Sequence, residues 1–343
     1  MPVALCPRRL TACCPRKRSS CRWRGWKMDE KMIRRQLKKK MGVTGWSLLL
    51  YSLVMNVCVI AAVMVQTVVL SLQGSMPEGD ALEQIILGNA WGYLIACVIA
   101  LLLIIIWKKP HFLFSEIWQK EKDLKPKTFF ALLVVFLAAQ GAFQLFANIL
   151  ELVFNQFGFS VLQSIEAASI VPDTLSMFLY VGLFAPIVEE IIFRGLLLRL
   201  MRPYGKTFAI LTSAFLFGMF HGNIVQSPYA FLVGLVLGYI TVEYSIGWAM
   251  VLHMANNLIL GDTFSRISQL LPEGTGDVLF ALLIWGCLIA GIVILIVKRR
   301  EIKAYRTENP IHLWCVKSFF GSGGVICFTI VMALTMLAGI TLL

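Results

Sequence analysis

Apolar runs long enough to cross the ~30 Å of hydrocarbon in a bilayer, at ~1.5 Å of rise per helical residue, recur along the whole chain. They fall at about 44–72, 84–107, 128–150, 174–198, 207–222, 229–244, 246–261, 277–297 and 318–343. In lipid a spanning segment must satisfy its own backbone polar groups, which helices do. The pattern therefore predicts an all-α fold, a polytopic transmembrane helical bundle of about nine spans with the fifth to seventh short. Composition agrees: 58% of residues are hydrophobic, 15% are charged and the mean hydropathy is +0.78, far from a soluble domain's usage.

A net charge of +12 would suggest nucleic acid as a partner if it were spread over the fold. It is not. Residues 1–40 hold 14 Lys and Arg against two acids, and the rest of the chain carries 17 of each sign. A basic leader before the first apolar run is what the positive-inside rule expects of a cytoplasmic N-terminus. The loops agree, because Lys108-Lys109, Lys120–Lys127, Arg199/Arg202/Lys206 and Lys298–Arg300 alternate with loops bearing Glu78, Asp80, Glu151, Asp173, Asp262 and Glu273. The expected organisation is a basic cytoplasmic leader over 1–43 and one multi-pass cell-membrane domain over 44–343, with no nucleic-acid partner. Within the leader, 1–27 mixes Cys, Pro, Arg and Trp without period, and the amphipathic stretch from Met28 reads as the native start. A transit peptide is the competing reading of 1–27, which is Arg-rich and acid-free but poor in Ser. Four of the nine cysteines lie in this stretch, and the other five have neither paired nor metal-ligand spacing.

Ionisable residues inside spans are costly, ~2.5–3.5 kcal/mol each at the bilayer centre, and mark functional sites. The fourth run contains V188-E-E-I-I-F-R-G195. On an α-helix Glu190 and Arg194 are i,i+4 neighbours in the favourable order, whereas Glu189 points ~100° away without a local partner. Counted back from Arg199, Glu189 lies ~15 Å from the basic side, near the midplane. A structural ion pair beside a protonated Glu is the plain reading of this motif taken alone. Two further histidines shift the balance: His221 ends Phe217-Gly-Met-Phe-His221, and His253 opens His253-Met-Ala-Asn-Asn257, both in short apolar runs.

Such a set suits hydrolysis. A buried carboxylate takes a proton from water, imidazoles hold that water or protonate the leaving group, and the Asn257 amide stabilises an oxyanion. Glu189, His221 and His253 would also make a zinc ligand set with an open position. No carboxylate on the seventh run is available to orient His253, which favours a glutamate base without metal.

Glu-Glu-x-x-x-Arg at 189–194, Phe-x-x-x-His at 217–221 and His-x-x-x-Asn at 253–257, in this order, resemble the three motifs of the CPBP family. These are the CAAX type II prenyl endopeptidases and bacteriocin-processing, or Abi, intramembrane proteases. The resemblance covers about 125–262, the expected protease-like core. It implies Glu189 as the water-activating carboxylate, Glu190 and Arg194 as its support, and His221, His253 and Asn257 completing the site. The substrate it implies is a membrane-associated or lipidated peptide or protein met in the lipid bilayer. Family members are described both as metalloproteases and as glutamate proteases. Two rival readings use the same residues, a catalytically inactive membrane adaptor of this fold and a transporter or proton channel. Gly234-x-x-x-Gly238 reads as a packing surface. Gln140, Gln144, Asn148 and Glu151 form a polar stripe that reads as interhelical hydrogen bonding or a cavity lining. Glu243-Tyr244 reads as an interfacial anchor, and His111 and His312 take no role.

Overall fold

A computed structural model describes residues 30–74, 79, 82, 85, 88–169, 172–258 and 270–343. The chain enters on α1 (Glu30–Leu72), a single helix in which the basic stretch runs without a break into the first span. It continues through α2 (Trp91–Lys108), α3 (Pro126–Asn155) and the compound helix α4 (Leu175–Tyr204). Three shorter helices follow, α5 (Lys206–Phe220), α6 (Gln226–Glu243) and α7 (Ile246–Ala255), the last extended by a π-helical turn over 256–258. Then come α8 (Thr275–Val297), the amphipathic α9 (Arg299–Glu308), α10 (Leu313–Phe320) and α11 (Gly323–Ala338). The all-α, polytopic expectation holds. The leader over 1–27, with its proposed start, and the loop at 262–269 lie outside the described residues.

Among the described residues, helices of span length are fewer than the apolar runs. Five, α1, α2, α3, α4 and α8, are long and apolar enough to cross a membrane, and α10 with α11 makes a sixth if the bent pair is one span. The last run is not straight: the chain turns 65° between Phe320 and Gly323, and α11 stops at Ala338. Beyond it Thr341–Leu342 pairs antiparallel with Phe159–Ser160, in the register Phe159 to Leu342 and Ser160 to Thr341. At ~1.5 Å per residue, α5 with 15 residues falls short of a bilayer's ~30 Å. Its place in the bundle explains why it need not be longer. α5 and α6 form a packed hairpin against α4, with Phe208, Leu216, Phe217, Val233, Leu237 and Ile240 all buried.

Around this centre the long helices present their apolar side chains outward. On α1, Leu50, Leu53, Val57, Ile60 and Met64 are each more than half exposed, and on α8 so are Val278, Leu282, Ile289 and Val293. A surface of this kind has no counterpart on a water-soluble monomer and belongs against lipid tails. Because lipid is as apolar as leucine, helices here associate through close packing. At the crossing of α1 and α11 a Cβ on Gly45 would lie 2.1 Å from the Gly324 carbonyl carbon, so only glycine permits that approach.

The basic end is clasped by side chains. The Glu243 carboxylate, 4% exposed, accepts from Lys122 at 2.8 Å, Lys206 at 2.6 Å and the Tyr305 hydroxyl at 3.0 Å. Glu243 thus ties α9 and the segment before α3 to the α5–α6 hairpin, a deeper role than interfacial anchoring. Nearby, Arg202 pairs with Glu121 at 2.6 Å and holds its carboxyl below the usual range.

Candidate active site

The local structure of α4 starts from a proline. Thr174 caps the helix by accepting from the Met177 N–H, and the chain then runs α-helically over Leu175–Leu179 and π-helically over Tyr180–Phe184. In the π pattern each N–H reaches the carbonyl five residues back, as the Ala185 N–H does to Tyr180 O. The next donor in that series would be residue 186, which is Pro186 and has none. The Val181 carbonyl it would have served accepts instead from Asn257 Nδ2 at 2.9 Å. One N–H of the Asn257 amide therefore closes a backbone vacancy between α7 and α4 rather than waiting for an oxyanion. Asn256 continues the tie, donating to Asn257 Oδ1 at 3.0 Å and accepting from the Tyr229 hydroxyl at 3.3 Å.

A second π-helical stretch, Glu190–Leu198, carries the charged motif. π turns inside α-helices recur at functional sites because they redirect side chains. Glu190 and Arg194 are fully buried, and Arg194 Nη1 meets Glu190 Oε1 at 2.9 Å, the expected pair. Arg194 is boxed in further: its guanidinium sits 4.2 Å from the Phe217 ring centroid, and Nη2 donates to Gly234 O at 3.4 Å. A Cβ at Gly234 would fall 3.2 Å from Ala214 and 3.3 Å from that nitrogen. The glycine pair is thus a packing surface, and it also brings a carbonyl to the arginine.

The histidines arrive from two directions. His253, 7% exposed on α7, places Nδ1 3.0 Å from Glu190 Oε1 and Nε2 3.7 Å from Glu189 Oε2. Glu190 Oε1, which also accepts from Arg194, is the acceptor for a proton on His253 Nδ1, and in that tautomer His253 turns a bare Nε2 to Glu189. The orienting carboxylate missing from the seventh run is therefore supplied by α4. His221, the C-cap of α5, has Nδ1 2.9 Å from Phe217 O, an acceptor, so its Nε2 is bare as well. Its ring meets Phe217 edge-on at 4.8 Å, and the same phenylalanine meets His253 at 5.8 Å.

The turn after His221 is built by two residues the sequence motifs did not single out. Gly222 takes φ +57°, the left-handed conformation that ends helices at glycine. Asn223 then turns the chain into α6, its Oδ1 accepting from the N–H groups of Val225 and Gln226, both at 2.9 Å. A glycine one residue past the last apolar position, followed by asparagine, is the signal that could have found them. Asn223 Nδ2 also donates to Ser164 O at 2.8 Å, and Ser164 Oγ to Gly339 O at 3.0 Å. Of the polar stripe on α3, Glu151 accepts from Ser160 Oγ and Val161 N. Gln140, Gln144 and Asn148 make no side-chain hydrogen bond among the described residues.

All six residues read from the motifs, Glu189, Glu190, Arg194, His221, His253 and Asn257, lie in α4, α5 and α7 and their end turns, which surround the Phe217 ring or the Val181 carbonyl. Residues 171–259 match the family model described as type II CAAX prenyl endopeptidase Rce1-like. The matched segment covers every motif residue, lies inside the stretch 125–262 expected to form the protease-like core, and is similar to the CAAX protease family. No curated protein and no solved structure matches the chain. For zinc, the Rce1-like segment offers a suitable donor chemistry, two bare Nε2 atoms and a carboxylate. As placed, however, no three His, Cys, Asp or Glu side chains converge on one point among the described residues.

Proposed function

We propose that this protein is an intramembrane endopeptidase that hydrolyses a peptide bond in a membrane-associated or lipidated peptide or protein, with Glu189 activating the water. One observation carries the reading: the series Glu189, His253 Nε2, His253 Nδ1, Glu190 and Arg194, spaced 3.7, 3.0 and 2.9 Å at its three gaps. Glu189 takes a proton from water while the hydroxide oxygen adds to the scissile carbonyl carbon. The His221 Nε2 accepts the water's other O–H and holds it in place. The proton on Glu189 passes to His253 Nε2 once that contact closes by under ~1 Å, a tightening common on substrate binding. The imidazolium that results is stabilised by Glu190, itself held by Arg194, and it protonates the nitrogen that leaves as the C–N bond breaks. Asn257 holds α7 to α4 so that His253 faces Glu189. Each of these steps uses this chain's own side chains.

Substrates reach the site from the bilayer of the cell membrane, with the N-terminus on the cytoplasmic side. The test is Glu189→Gln in proteoliposomes offered a panel of lipidated and unlipidated membrane peptides. The variant retains wild-type abundance and melting behaviour and cleaves nothing. Cleavage at the wild-type rate would remove Glu189 from the mechanism. A wild-type protein inert to the whole panel would favour the adaptor reading.

A further inference from the structure

Several bases at the basic end of the bundle are engaged by the protein itself. Glu243 takes Lys122 and Lys206, Glu121 takes Arg202, and Glu301 pairs with Lys298 at 2.7 Å. The amphipathic helix α9 departs from this. Arg299, Arg300, Lys303 and Arg306 are exposed there, and their side chains have no hydrogen-bond, ion-pair or ring partner among the described residues. At ~100° per residue they fall within about 120° of the helix circumference. Tyr305 points the opposite way, into the bundle: its hydroxyl donates to Glu243 Oε1 at 3.0 Å and its ring meets Tyr239 at 5.6 Å. The helix is therefore held with its basic face turned away from protein.

The surroundings of α9 indicate what that face meets. Its first residue, Arg299, lies two past Val297, the end of the α8 span, where Ile296 and Val297 are 54% and 71% exposed. The lipid-facing apolar surface thus runs up to the first arginine, which places α9, ~15 Å long, at the boundary between hydrocarbon and headgroups. Cations clustered directly after a span, on one face and without partners, match the phosphodiesters of an anionic leaflet in both charge and depth. We infer that the face of α9 carrying Arg299, Arg300, Lys303 and Arg306 binds anionic phospholipid headgroups, and that through Tyr305 and Glu243 it fastens the α5–α6 hairpin to the membrane surface.

The experiment uses the purified full chain as wild type, as a variant with Arg299, Arg300, Lys303 and Arg306 all changed to Gln, and as a control with Arg35, Lys38, Lys39 and Lys125 changed to Gln. Retention of phosphatidylglycerol over phosphatidylcholine is read by native mass spectrometry, and melting temperature in vesicles of phosphatidylcholine with rising phosphatidylglycerol. Each base near an anionic surface multiplies affinity about fivefold, so the α9 variant is expected to retain phosphatidylglycerol at least ~100-fold more weakly at low salt. It is also expected to lose the rise in melting temperature that phosphatidylglycerol gives to wild type and control. In pure phosphatidylcholine the three proteins are expected to melt together, because glutamine matches lysine and arginine in helix propensity. An equal loss in the control would make the preference a matter of net charge and overturn the inference. So would an α9 variant that keeps the preference, or one that already melts lower in pure phosphatidylcholine. A rise produced equally by glycerol phosphate in solution over pure phosphatidylcholine would overturn the bilayer as the source. No peptide is cleaved in these measurements, so their outcome is independent of the Glu189 reading.

Discussion

Two carboxylates are buried in this molecule beside cations, Glu190 in the middle of α4 and Glu243 at the end of α6, and their surroundings differ in kind. At Glu243 both oxygens are used, Oε2 by Lys122 and Oε1 by Lys206 and Tyr305, and the lysines keep 66% and 30% of their side chains in contact with solvent. At Glu190 a single oxygen accepts from both Arg194 and His253, while Oε2 and the Arg194 Nε find no partner among the described residues. Buried polar networks built only to hold a fold tend to be fully satisfied, because each orphan atom costs ~1–3 kcal/mol. The clasp at Glu243 meets that standard. The pair in α4 falls short of it, and the group it holds in place is an imidazole with a free nitrogen facing another carboxylate.

The sharpest way to test the contrast is to neutralise each carboxylate without changing its shape. Glu190→Gln removes the charge that orients and stabilises His253, and kcat is expected to fall on the order of 10³- to 10⁴-fold, read as single-turnover cleavage. Arg194→Ala strands Glu190 as an unpaired buried charge at a cost of roughly 3–5 kcal/mol, so membrane abundance and activity fall together. Wild-type abundance in that variant would mean that the 2.9 Å pair does not form. Glu243→Gln is milder, since its lysines can turn to water. Roughly 1 kcal/mol of stability is lost after solvent screening, seen as a lower melting temperature with kcat per folded molecule unchanged. Acid should act at the same end. Glu121, held low by Arg202, contributes stability that is present above its ordinary value of 4.5 and lost as pH falls through the lower folded value. The smallest effect expected is that of a strong chelator, after which most activity remains. Loss of activity with recovery on stoichiometric zinc would make Glu189, His221 and His253 ligands and move the base to Glu190.

What could be read from the chain depended on how locally each feature is encoded. The pairing of Glu190 with Arg194 is an i,i+4 relation, and the lipid-facing helices need only length and apolarity, so both were legible. His253's orienting carboxylate was not, because it comes from a residue 63 positions earlier on another helix. The destination of the Asn257 amide is intermediate. It follows from Pro186's missing N–H, which is visible in the sequence, but only once the turn before the proline is known to be π-helical. Apolarity marks α5, α6 and α7 as buried, and burial by other helices reads the same as burial by lipid. The 65° turn before Gly323 rests on four consecutive residues, Gly321, Ser322, Gly323 and Gly324, amid an otherwise unbroken apolar run.

The pairing of Thr341–Leu342 with Phe159–Ser160 bears on when the candidate site is completed. Ser164, beside that pairing, hands its carbonyl to Asn223 in the turn behind His221, and it is itself held by Gly339. The ribosome delivers Glu189, His221 and His253 long before it delivers residues 339–342. A nascent chain therefore inserts Glu189, His221 and His253 into the membrane while the turn behind His221 still lacks its brace. On the proposed mechanism, competence to cleave becomes an event of late synthesis.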